Sequence, residues 1–305
     1  MTRGNTAPPV EPTKDVTICI CTFRRPSLAT ALESVCCQEG VARSAVPILV
    51  VDNDEGPTAR RLVDATAERL GAKIDYLHAP ARNISIARNA AMDAVSTTWI
   101  AFMDDDEYAA STWLETLLRA GTDKDAVVGP CISLYAPEMP EWVRTCDFHS
   151  NRITGRLDNA YTSNTLINVD FVRANGLRFP IECGVTGGED TIFFRLFSMA
   201  GGKISYCKEA IVYEKVVPQR ATMKWVLLRR YRSGQTHGLL LHKFDKKRYR
   251  ILILTAGIKF FICLSAALFW APMSGKWRRW LARAALHAGA VSYRLQGTVY
   301  REYAG

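Results

Sequence analysis

The spacing of hydrophobic and polar positions alternates between two periods along the first 120 residues of the chain. Short apolar runs bounded by turn residues predict buried strands at Val16–Thr22, Pro47–Val51, Lys73–Leu77 and Thr98–Met103. Apolar residues at helical spacing predict helices at Pro26–Gln38, Pro57–Leu70, Ile84–Val95 and, after a cap at Ser111, up to Ala120. Alternating strands and helices indicate an α/β fold with an open, mostly parallel sheet and helices on both faces.

The pattern is more irregular between residues 125 and 185, where turn residues interrupt it. Within this region an apolar run predicts a strand over Tyr161–Val169. A glycine-rich loop at 184–188 then leads into a predicted helix over Glu189–Ala200. Further on, Ala221–Leu241 has a long helical pattern rich in basic residues.

The charge of the chain changes sign near residue 220. Residues 1–219 carry a net charge of −6 and residues 220–305 carry +15, within a total of +9. A strongly basic region predicts an anionic partner, either nucleic acid or phospholipid. Nucleic acid is disfavoured, because the basic residues bracket an apolar stretch instead of interleaving with exposed aromatic residues. We therefore expect an anionic membrane surface, and no nucleic acid, among the partners.

The apolar stretch within this basic region is Ile251–Ala271. Its length suffices to cross a bilayer, for which about 20 apolar residues are needed. However, Lys259 lies near its middle and both flanks are basic, whereas a single span places its basic residues on the cytoplasmic side. We expect a helix that lies in the membrane plane or re-enters it. The alternative is a buried helix of a C-terminal subdomain.

These patterns predict three regions along the chain. They are a disordered arm at 1–14, an α/β domain at 15–240 and a helical, membrane-associating region at 241–305. The nine cysteines form no CxxC pair and are odd in number, so we expect reduced thiols in a cytoplasmic protein. The expected location is the cytoplasmic face of the inner (plasma) membrane.

Two acidic clusters follow predicted strands, at Asp52–Glu55 and at Asp104–Glu107. Ligands of open α/β sheets bind beyond the carboxyl ends of the strands. Carboxylates such as Asp104 and Asp106 suit a hard divalent cation, which in turn offsets the charge of a nucleotide diphosphate. Asp52 has the chemistry to accept hydrogen bonds from a ribose or a base edge. The alternatives are an acidic turn that caps the next helix and a turn-forming aspartate.

Two motifs combine charged residues with predicted helix starts. Arg88 lies in Asn83–Asn89 and is expected to meet either phosphate or the acidic cluster, unless it forms a purely structural ion pair. Glu189 and Asp190 follow three glycines, and a carboxylate there suits a general base for an acceptor hydroxyl. The alternative is that both are ordinary first-turn acidic residues.

A basic motif lies further along, at Arg229–Arg232. Its side chains suit phosphate or a membrane surface, and the alternative is a solvated basic face. Among the five histidines, no pair has a metal-ligand spacing such as HExxH, and His237 is the one candidate because it lies near the arginines.

These motifs, in this order, resemble family 2 glycosyltransferases of the GT-A fold, an open Rossmann-like sheet. The resemblance covers about residues 15–235 and rests on Val16–Arg25, Asp52, Ala87–Asn89, Asp104-x-Asp106, Glu189-Asp190 and, more loosely, Arg229-x-x-Arg232. More narrowly, Asn83–Asn89, Gly187–Asp190 and Arg232–Gly238 look like bacterial exopolysaccharide glucosyltransferases of the succinoglycan type.

The resemblance implies a role for each matching residue. Asp190 is the implied catalytic base, and Mn²⁺ or Mg²⁺ is the implied cofactor, held by Asp104 and Asp106. Many relatives have a metal-binding histidine where this chain has Tyr213, so Glu214 is the expected substitute, with water as the alternative. The implied donor-binding residues are Thr22, Arg24, Asp52, Arg88, Asp104, Asp105, Glu189, Arg229 and Arg232.

The implied activity is inverting transfer of a sugar, with glucose the best expectation, from a UDP-sugar to a lipid-linked oligosaccharide in exopolysaccharide biosynthesis. A nucleotidyltransferase is one alternative, but it usually needs a glycine-rich loop after the first strand, and residues 21–26 contain no glycine. A non-catalytic nucleotide-sugar-binding subunit of an assembly complex is the other, but it would be expected to lack the base or the metal carboxylates.

Overall fold

A computed structural model describes residues 15–40, 46–153, 157, 160–272 and 275–299. The predicted disordered arm at 1–14 lies outside these residues. The chain packs into two units. The first comprises the described residues up to Ser133, with Ser150–Gly184 and Glu189–Glu214, and the second comprises Leu134–His149, Val185–Gly188 and the chain from Lys215 onward.

The described residues form strands and helices in the following order. The strands are β1 Val16–Thr22, β2 Ile48–Asp52, β3 Ile74–His78, β4 Trp99–Asp104, β5 Glu107–Ala109, β6 Ala126–Val128, β7 Cys131–Leu134, β8 Asn164–Asn168, β9 Ile204–Tyr206 and β10 Val212–Lys215. The helices are α1 Leu28–Cys36, α2 Arg60–Leu70, α3 Ile84–Ala94, α4 Trp113–Ala120, α5 Glu141–Cys146, α6 Val169–Ala174, α7 Glu189–Met199, α8 Met223–Phe244, α9 Lys246–Arg250, α10 Leu252–Trp270 and α11 Trp277–Gln296.

The first unit is built on a seven-stranded sheet of order β3-β2-β1-β4-β8-β6-β9. Strands β3, β2, β1 and β4 are parallel, and so are β6 and β9, whereas β8 runs antiparallel to both of its neighbours. The predicted open, mostly parallel sheet is therefore confirmed. Its parallel half brings the carboxyl ends of β1, β2 and β4 to one edge.

Apolar side chains cover both faces of this sheet. Ile18 and Ile20 of β1 pack with α1, α2 and α4 on one face, whereas Cys19 packs with α3 and α7 on the other. This alternation follows from the two-residue period of a strand. Helices on both faces, as predicted, are confirmed.

Several predicted boundaries shift by a few residues, and two of them concern α4 and β8. Helix α4 begins after Thr112 rather than after a Ser111 cap, and its N-terminus has no side-chain cap hydrogen bond. The strand predicted over Tyr161–Val169 begins only at Asn164, and it ends at Asn168, whose side chain accepts a hydrogen bond from the Phe171 amide and caps α6. Such side-chain capping competes with strand pairing.

A smaller sheet of order β5-β10-β7 follows the end of β4. Strands β5 and β10 are antiparallel, and their register places Glu107 opposite Glu214 and Tyr108 opposite Tyr213. The two tyrosine rings stack, with centroids 5.4 Å apart. Successive residues of a strand point to opposite faces of the sheet, so the two glutamates lie together on one face and the two tyrosines on the other.

Helices α8, α10 and α11 dominate the second unit, and α11 packs on both of the others. Glycines let α8 and α11 approach closely: a Cβ atom at Gly234 would lie 1.9 Å from the Leu286 carbonyl oxygen, and one at Gly289 would lie 1.8 Å from that of Tyr231. This seam packs α8 with the C-terminal helices. All of α8 therefore belongs to the second unit, and the domain boundary predicted after residue 240 stays a prediction.

Gly289→Ala is expected to destabilise the second unit by about 1–3 kcal/mol, because the added methyl group overpacks the seam. Gly257→Ala is the matched control. Gly257 lies within α10, and a Cβ atom there would have no atom of the described chain within 4 Å beyond its own helix backbone, so alanine should be neutral or stabilising by up to about 1 kcal/mol. Thermal and urea unfolding measure both, and equal effects of the two substitutions would contradict the seam.

Candidate active site

The ends of three neighbouring parallel strands frame a site on the first unit. Thr22 ends β1, Asp52 ends β2 and Asp104 ends β4, and the register pairs Thr22 with Asp52 and Cys21 with Asp104. Helix α3 starts nearby with Asn83 as its cap, whose side chain accepts hydrogen bonds from the amides of Ser85 and Ile86. This cap orients α3 so that Arg88, in its second turn, reaches the site.

Arg88 joins three elements by charge. Its Nη1 lies 2.6 Å from Oε1 of Glu189 at the start of α7, and its Nη2 lies 3.8 Å from Oδ1 of Asp104. The side chains of Arg88 and Glu189 are only 8% and 9% exposed, and the guanidinium lies over the Phe179 ring. Burial alone would lower the pKa of Arg88, but Glu189, Asp104 and Asp190 raise it, so Arg88 stays charged.

Asp105 is held in place at the centre of the acidic cluster. Its Oδ2 accepts a hydrogen bond from the Thr22 hydroxyl at 2.7 Å and from the Phe23 amide at 3.3 Å. Arg25 lies 3.9 Å from Asp105 and 3.7 Å from Asp106. Asp105 thereby fixes the 104–107 turn to the end of β1, and Asp104 and Asp106 flank it.

The carboxylates of this cluster repel one another. Burial, with Asp106 and Asp105 beside it and against the opposing effect of Arg88, raises the pKa of Asp104 to about 7. Burial also raises the pKa of Asp105 to about 6, although the Thr22 hydrogen bond opposes it. Burial, with Asp104 nearby, raises the pKa of Glu107 as well. The surroundings therefore do not fully balance the cluster when its carboxylates are ionised, and these groups bind protons more readily than ordinary carboxylates do.

The donor set suits a hard divalent cation, because it consists of carboxylate oxygens. Among the described residues, however, no three His, Cys, Asp or Glu side chains converge as a ready-made metal site. Glu214 lies opposite Glu107 and adds to the negative charge around Asp104. Mg²⁺-type sites often take one or two protein carboxylates and complete their shell with substrate phosphates and water. The carboxylates fit that kind of site.

Asp190 follows Glu189 in the first turn of α7. The Thr191 amide donates a hydrogen bond of 2.6 Å to its Oδ1. Burial and the adjacent Glu189 raise the pKa of Asp190 to about 6, while Arg88 opposes the shift. A carboxylate of this kind is ionised near neutral pH and yet more basic than an ordinary aspartate, as a general base requires.

Asp52 is fully buried and serves the fold directly. Its oxygens accept hydrogen bonds from the Ala59 amide at 2.8 Å, the Tyr76 hydroxyl at 2.7 Å and the Asp54 amide at 3.1 Å. A ribose or base would have to replace one of these bonds, and the predicted donor contact of Asp52 stays a prediction.

Arg24 and Arg82 border the same edge of the sheet. Arg24 donates to Asp54 at 2.7 Å, and this hydrogen bond lowers the pKa of Asp54 to about 2. Both arginines have left-handed backbones, with φ of 53° and 47°, which is uncommon outside glycine. Their guanidinium groups lie 5.3 and 5.8 Å from the centre of the Phe23 ring, which is 39% exposed.

The sequence assigns no individual role to four residues at this site: Phe23, Arg25, Arg82 and Glu107. Phe23 and Arg25 belong to the motif Val16–Arg25, and Glu107 belongs to the predicted acidic cluster, but its place opposite Glu214 depends on strand register. Arg82 has no such signal, because its position depends on a left-handed turn. Arg229, Arg232 and His237 lie on α8 in the second unit, where Arg229 lies 5.2 Å from the centre of the Trp225 ring. Their predicted roles stay predictions.

Comparison with known proteins adds a family and several relatives. The model of glycosyl transferase family 2 matches residues 17–182. The succinoglycan biosynthesis protein ExoM of Rhizobium meliloti (strain 1021) is 40% identical over 286 residues, which are 92% of this chain and 93% of ExoM. A glucosyl-dolichyl phosphate glucuronosyltransferase of Haloferax volcanii is 25% identical over 246 residues, covering 74% of this chain and 77% of that protein.

Solved structures with the same fold have low sequence identity. The mannosyltransferase PcManGT from Pyrobaculum calidifontis, in complex with GDP-Man and Mn²⁺, has a TM-score of 0.63 at 16% identity, covering 96% of this chain and 90% of that one. S. aureus TarS 1–349 in complex with UDP has a TM-score of 0.53 at 17% identity, covering 94% and 93%. These likenesses confirm the predicted GT-A fold.

Arg88→Met is expected to abolish activity and to destabilise the protein by about 3–5 kcal/mol, because Glu189 is left buried and unpaired. Arg178 is the control, since it pairs with Asp93 in an exposed ion pair, and Arg178→Met should cost at most about 1 kcal/mol. The double variant Arg88→Met/Glu189→Leu should regain stability but not activity, because it removes both buried charges. Urea unfolding measures all three, and equal costs of the two single substitutions would refute the buried pair.

Asp104→Asn is expected to stabilise the cation-free protein at pH 8 but not at pH 5. The raised pKa of Asp104 means that the folded state binds a proton more tightly than the unfolded chain. The free energy of unfolding therefore falls as the pH rises from about 4 to about 7. Asparagine cannot ionise, so the Asn variant does not show this fall. Unfolding in excess chelator across this range measures the difference, with the exposed Asp123→Asn as a control for net charge. A difference that does not vary with pH would contradict this explanation.

Proposed function

The chain belongs to glycosyltransferase family 2, and on this basis we propose that it transfers a sugar from a UDP-sugar, with UDP-glucose the foremost candidate, to a lipid-linked saccharide in exopolysaccharide biosynthesis. One relative carries the name of a succinoglycan biosynthesis protein, and another is named for a glucosyl-dolichyl phosphate acceptor. TarS, which shares the fold, was solved with UDP. These names support the class of reaction and the kind of acceptor.

The proposal rests mainly on the contacts of Arg88 with two groups of carboxylates, one at the start of α7 and one at the end of β4. Arg88 contacts Glu189, beside Asp190, and also lies near Asp104 at the end of β4. A proposed base and a proposed diphosphate-binding cluster thus lie on either side of one guanidinium. Transfer by single displacement needs these two groups within the length of a sugar ring.

In the proposed reaction, Asp190 accepts the proton of an acceptor hydroxyl. The hydroxyl oxygen attacks the anomeric carbon from the face opposite the diphosphate, the bond to the diphosphate oxygen breaks, and the configuration inverts. Arg88 donates a hydrogen bond to Oε1 of Glu189, so that Asp190 is the carboxylate proposed to be available to the acceptor. No covalent intermediate is required.

We propose that Asp104, Asp106 and Glu214 hold Mn²⁺ or Mg²⁺ together with the donor diphosphate. When bound, such an ion supplies charge neutralisation for the diphosphate as the leaving group. The protein residues prepare this position: Thr22 holds Asp105, and Arg25 lies beside Asp106. Arg229 and Arg232 are proposed to bind the diphosphate, on the motif resemblance alone.

Thr22, Arg24 and Asp52 are proposed to line the nucleoside end of the donor site. Phe23 offers an exposed aromatic surface there for a base. The proposed location is the cytoplasmic face of the inner membrane. One described helix, α10, is long and apolar enough to cross a membrane by length and composition.

Asp190→Asn is expected to lower turnover by roughly 10² or more, because it removes the proton acceptor with little change in volume. The affinity for UDP should stay within about twofold of wild type, since Asp190 is not proposed to touch the nucleotide. Single-turnover transfer and titration calorimetry measure the two quantities. A collapse of UDP affinity would instead make Asp190 a binding or structural residue.

UDP is expected to bind more tightly than GDP or dTDP in the presence of Mn²⁺. Phe23→Ala should weaken UDP binding by about 1–3 kcal/mol, the usual range for base stacking on an aromatic ring. Met199→Ala is the control, since Met199 is also an exposed apolar residue of the first unit. Titration calorimetry tests both statements. Tighter binding of GDP than of UDP would overturn the assignment of uracil as the nucleobase of the donor.

A further inference from the structure

Helix α10 exposes large apolar side chains and buries mainly small ones. This is the opposite of the arrangement in a helix of a soluble protein. Its most exposed large residues are more than half exposed: Leu254, Ile258, Phe261, Ile262, Leu268 and Phe269. Its buried residues are mainly small, namely Ala256, Cys263 and Ala267, together with Leu252. A helix in water buries its large apolar side chains and exposes polar ones. The outward side chains of α10 therefore require an apolar partner.

These six large residues lie on one side of the helix and form an apolar stripe, with the small side chain of Ser265 among them. At 3.6 residues per turn, the positions of the six large residues fall within about 120° of the helix circumference, and the buried positions lie on the opposite side. Lys259, the one charged residue of the helix, is about 120° from the centre of the stripe. Burial lowers the pKa of His287 on α11, and the nearby Lys259 lowers it further. The charge that argues against a spanning helix thus lies away from the apolar stripe.

The neighbour of α10 decides the orientation of this stripe. Helix α11 packs along α10 and carries charged or titratable side chains along its length, at Arg278, Arg279, Arg283, His287 and Arg294. If α10 crossed a bilayer, α11 would enter the hydrocarbon with it, and these charges would be costly there. If α10 lies flat, only its stripe meets the acyl chains, and α11 stays on the side of the headgroups and water.

Both ends of α10 carry the residue types found at membrane surfaces. Lys246, Lys247 and Arg250 are exposed just before it. After it, the ammonium group of Lys276 lies 4.8 Å from the centre of the Trp270 ring, and Arg278 lies over the ring of Trp277. Basic residues attract anionic headgroups, and tryptophans favour the interface. A flat helix brings both ends to the same anionic surface.

We propose that the second unit binds an anionic phospholipid bilayer from one side, with α10 lying in the membrane plane and its apolar stripe among the acyl chains. This binding makes the chain a monotopic membrane protein rather than a spanning one. It gives the proposed lipid-linked acceptor a surface on which to meet the enzyme, but it does not rest on the transfer reaction.

Flotation of the full-length chain with vesicles tests the proposal. The wild type should float with phosphatidylglycerol–phosphatidylethanolamine vesicles and far less with phosphatidylcholine vesicles, and alkaline carbonate should release it. Phe261→Glu should lower binding about tenfold or more, because a large apolar side chain that is proposed to enter the acyl chains is replaced by a charge. Leu254→Glu repeats the test on the same stripe. Met199→Glu, at an equally exposed apolar residue of the first unit, should bind like wild type.

Each other outcome overturns the proposal. Resistance of the wild type to carbonate would show that α10 spans the bilayer. Absence of flotation with either vesicle, or equal binding by Phe261→Glu, would show that lipid does not cover the stripe. A wild-type dimer that Phe261→Glu converts to a monomer in the absence of lipid would assign the stripe to a second copy of the chain. UDP binding is measured in parallel for each variant. Retained UDP binding shows that the variant is folded, and this control does not depend on the result of the flotation.

Discussion

The ion pair between Arg88 and Glu189 is the interaction on which the site depends. Both side chains are buried, so neither can lose the other without leaving a charge unpaired. The pair links α3 to the start of α7, and the second contact of Arg88 links both to Asp104 at the end of β4. The position of Asp190 relative to the acidic cluster thus follows from one guanidinium, and the cap at Asn83 in turn sets the direction of α3.

The basic residues around the acidic cluster do not balance it when all of its carboxylates are ionised. Arg88 and Arg25 approach it from two sides, but Glu107 and Glu214 face each other across β5 and β10, and the pKa of Asp104 rises to about 7. Like charges directly opposite in a sheet are unfavourable, so this register disfavours the state in which both glutamates are ionised. The proposed cation and diphosphate supply the balance. A site that is incomplete without its donor also has a physical reason to bind metal and nucleotide together.

The sequence predicts what depends on short-range pattern. The ends of β1, β2 and β4, the start of α7 at Glu189 and the family itself follow from local periodicity and ordered motifs. The face-to-face placement of Glu107 and Glu214 does not, because it needs the register of two strands about 100 residues apart in the chain. The left-handed backbone at Arg82 has no signal at all, since arginine rarely adopts it. The close approach at Gly234 and Gly289 becomes visible only once α8 and α11 are paired. Likewise, the packing of α10 against α11 is needed to show which side of the apolar stretch at 251–271 faces outward.

We propose that the donor diphosphate and the acidic cluster bind a divalent cation jointly. Electron paramagnetic resonance of Mn²⁺, with and without UDP, measures this coupling. We expect weak Mn²⁺ binding to the protein alone, an affinity about tenfold or more higher with UDP, and loss of that gain in Asp106→Asn. UDP binding that is equally tight in excess chelator, or Mn²⁺ binding that UDP does not change, would contradict it.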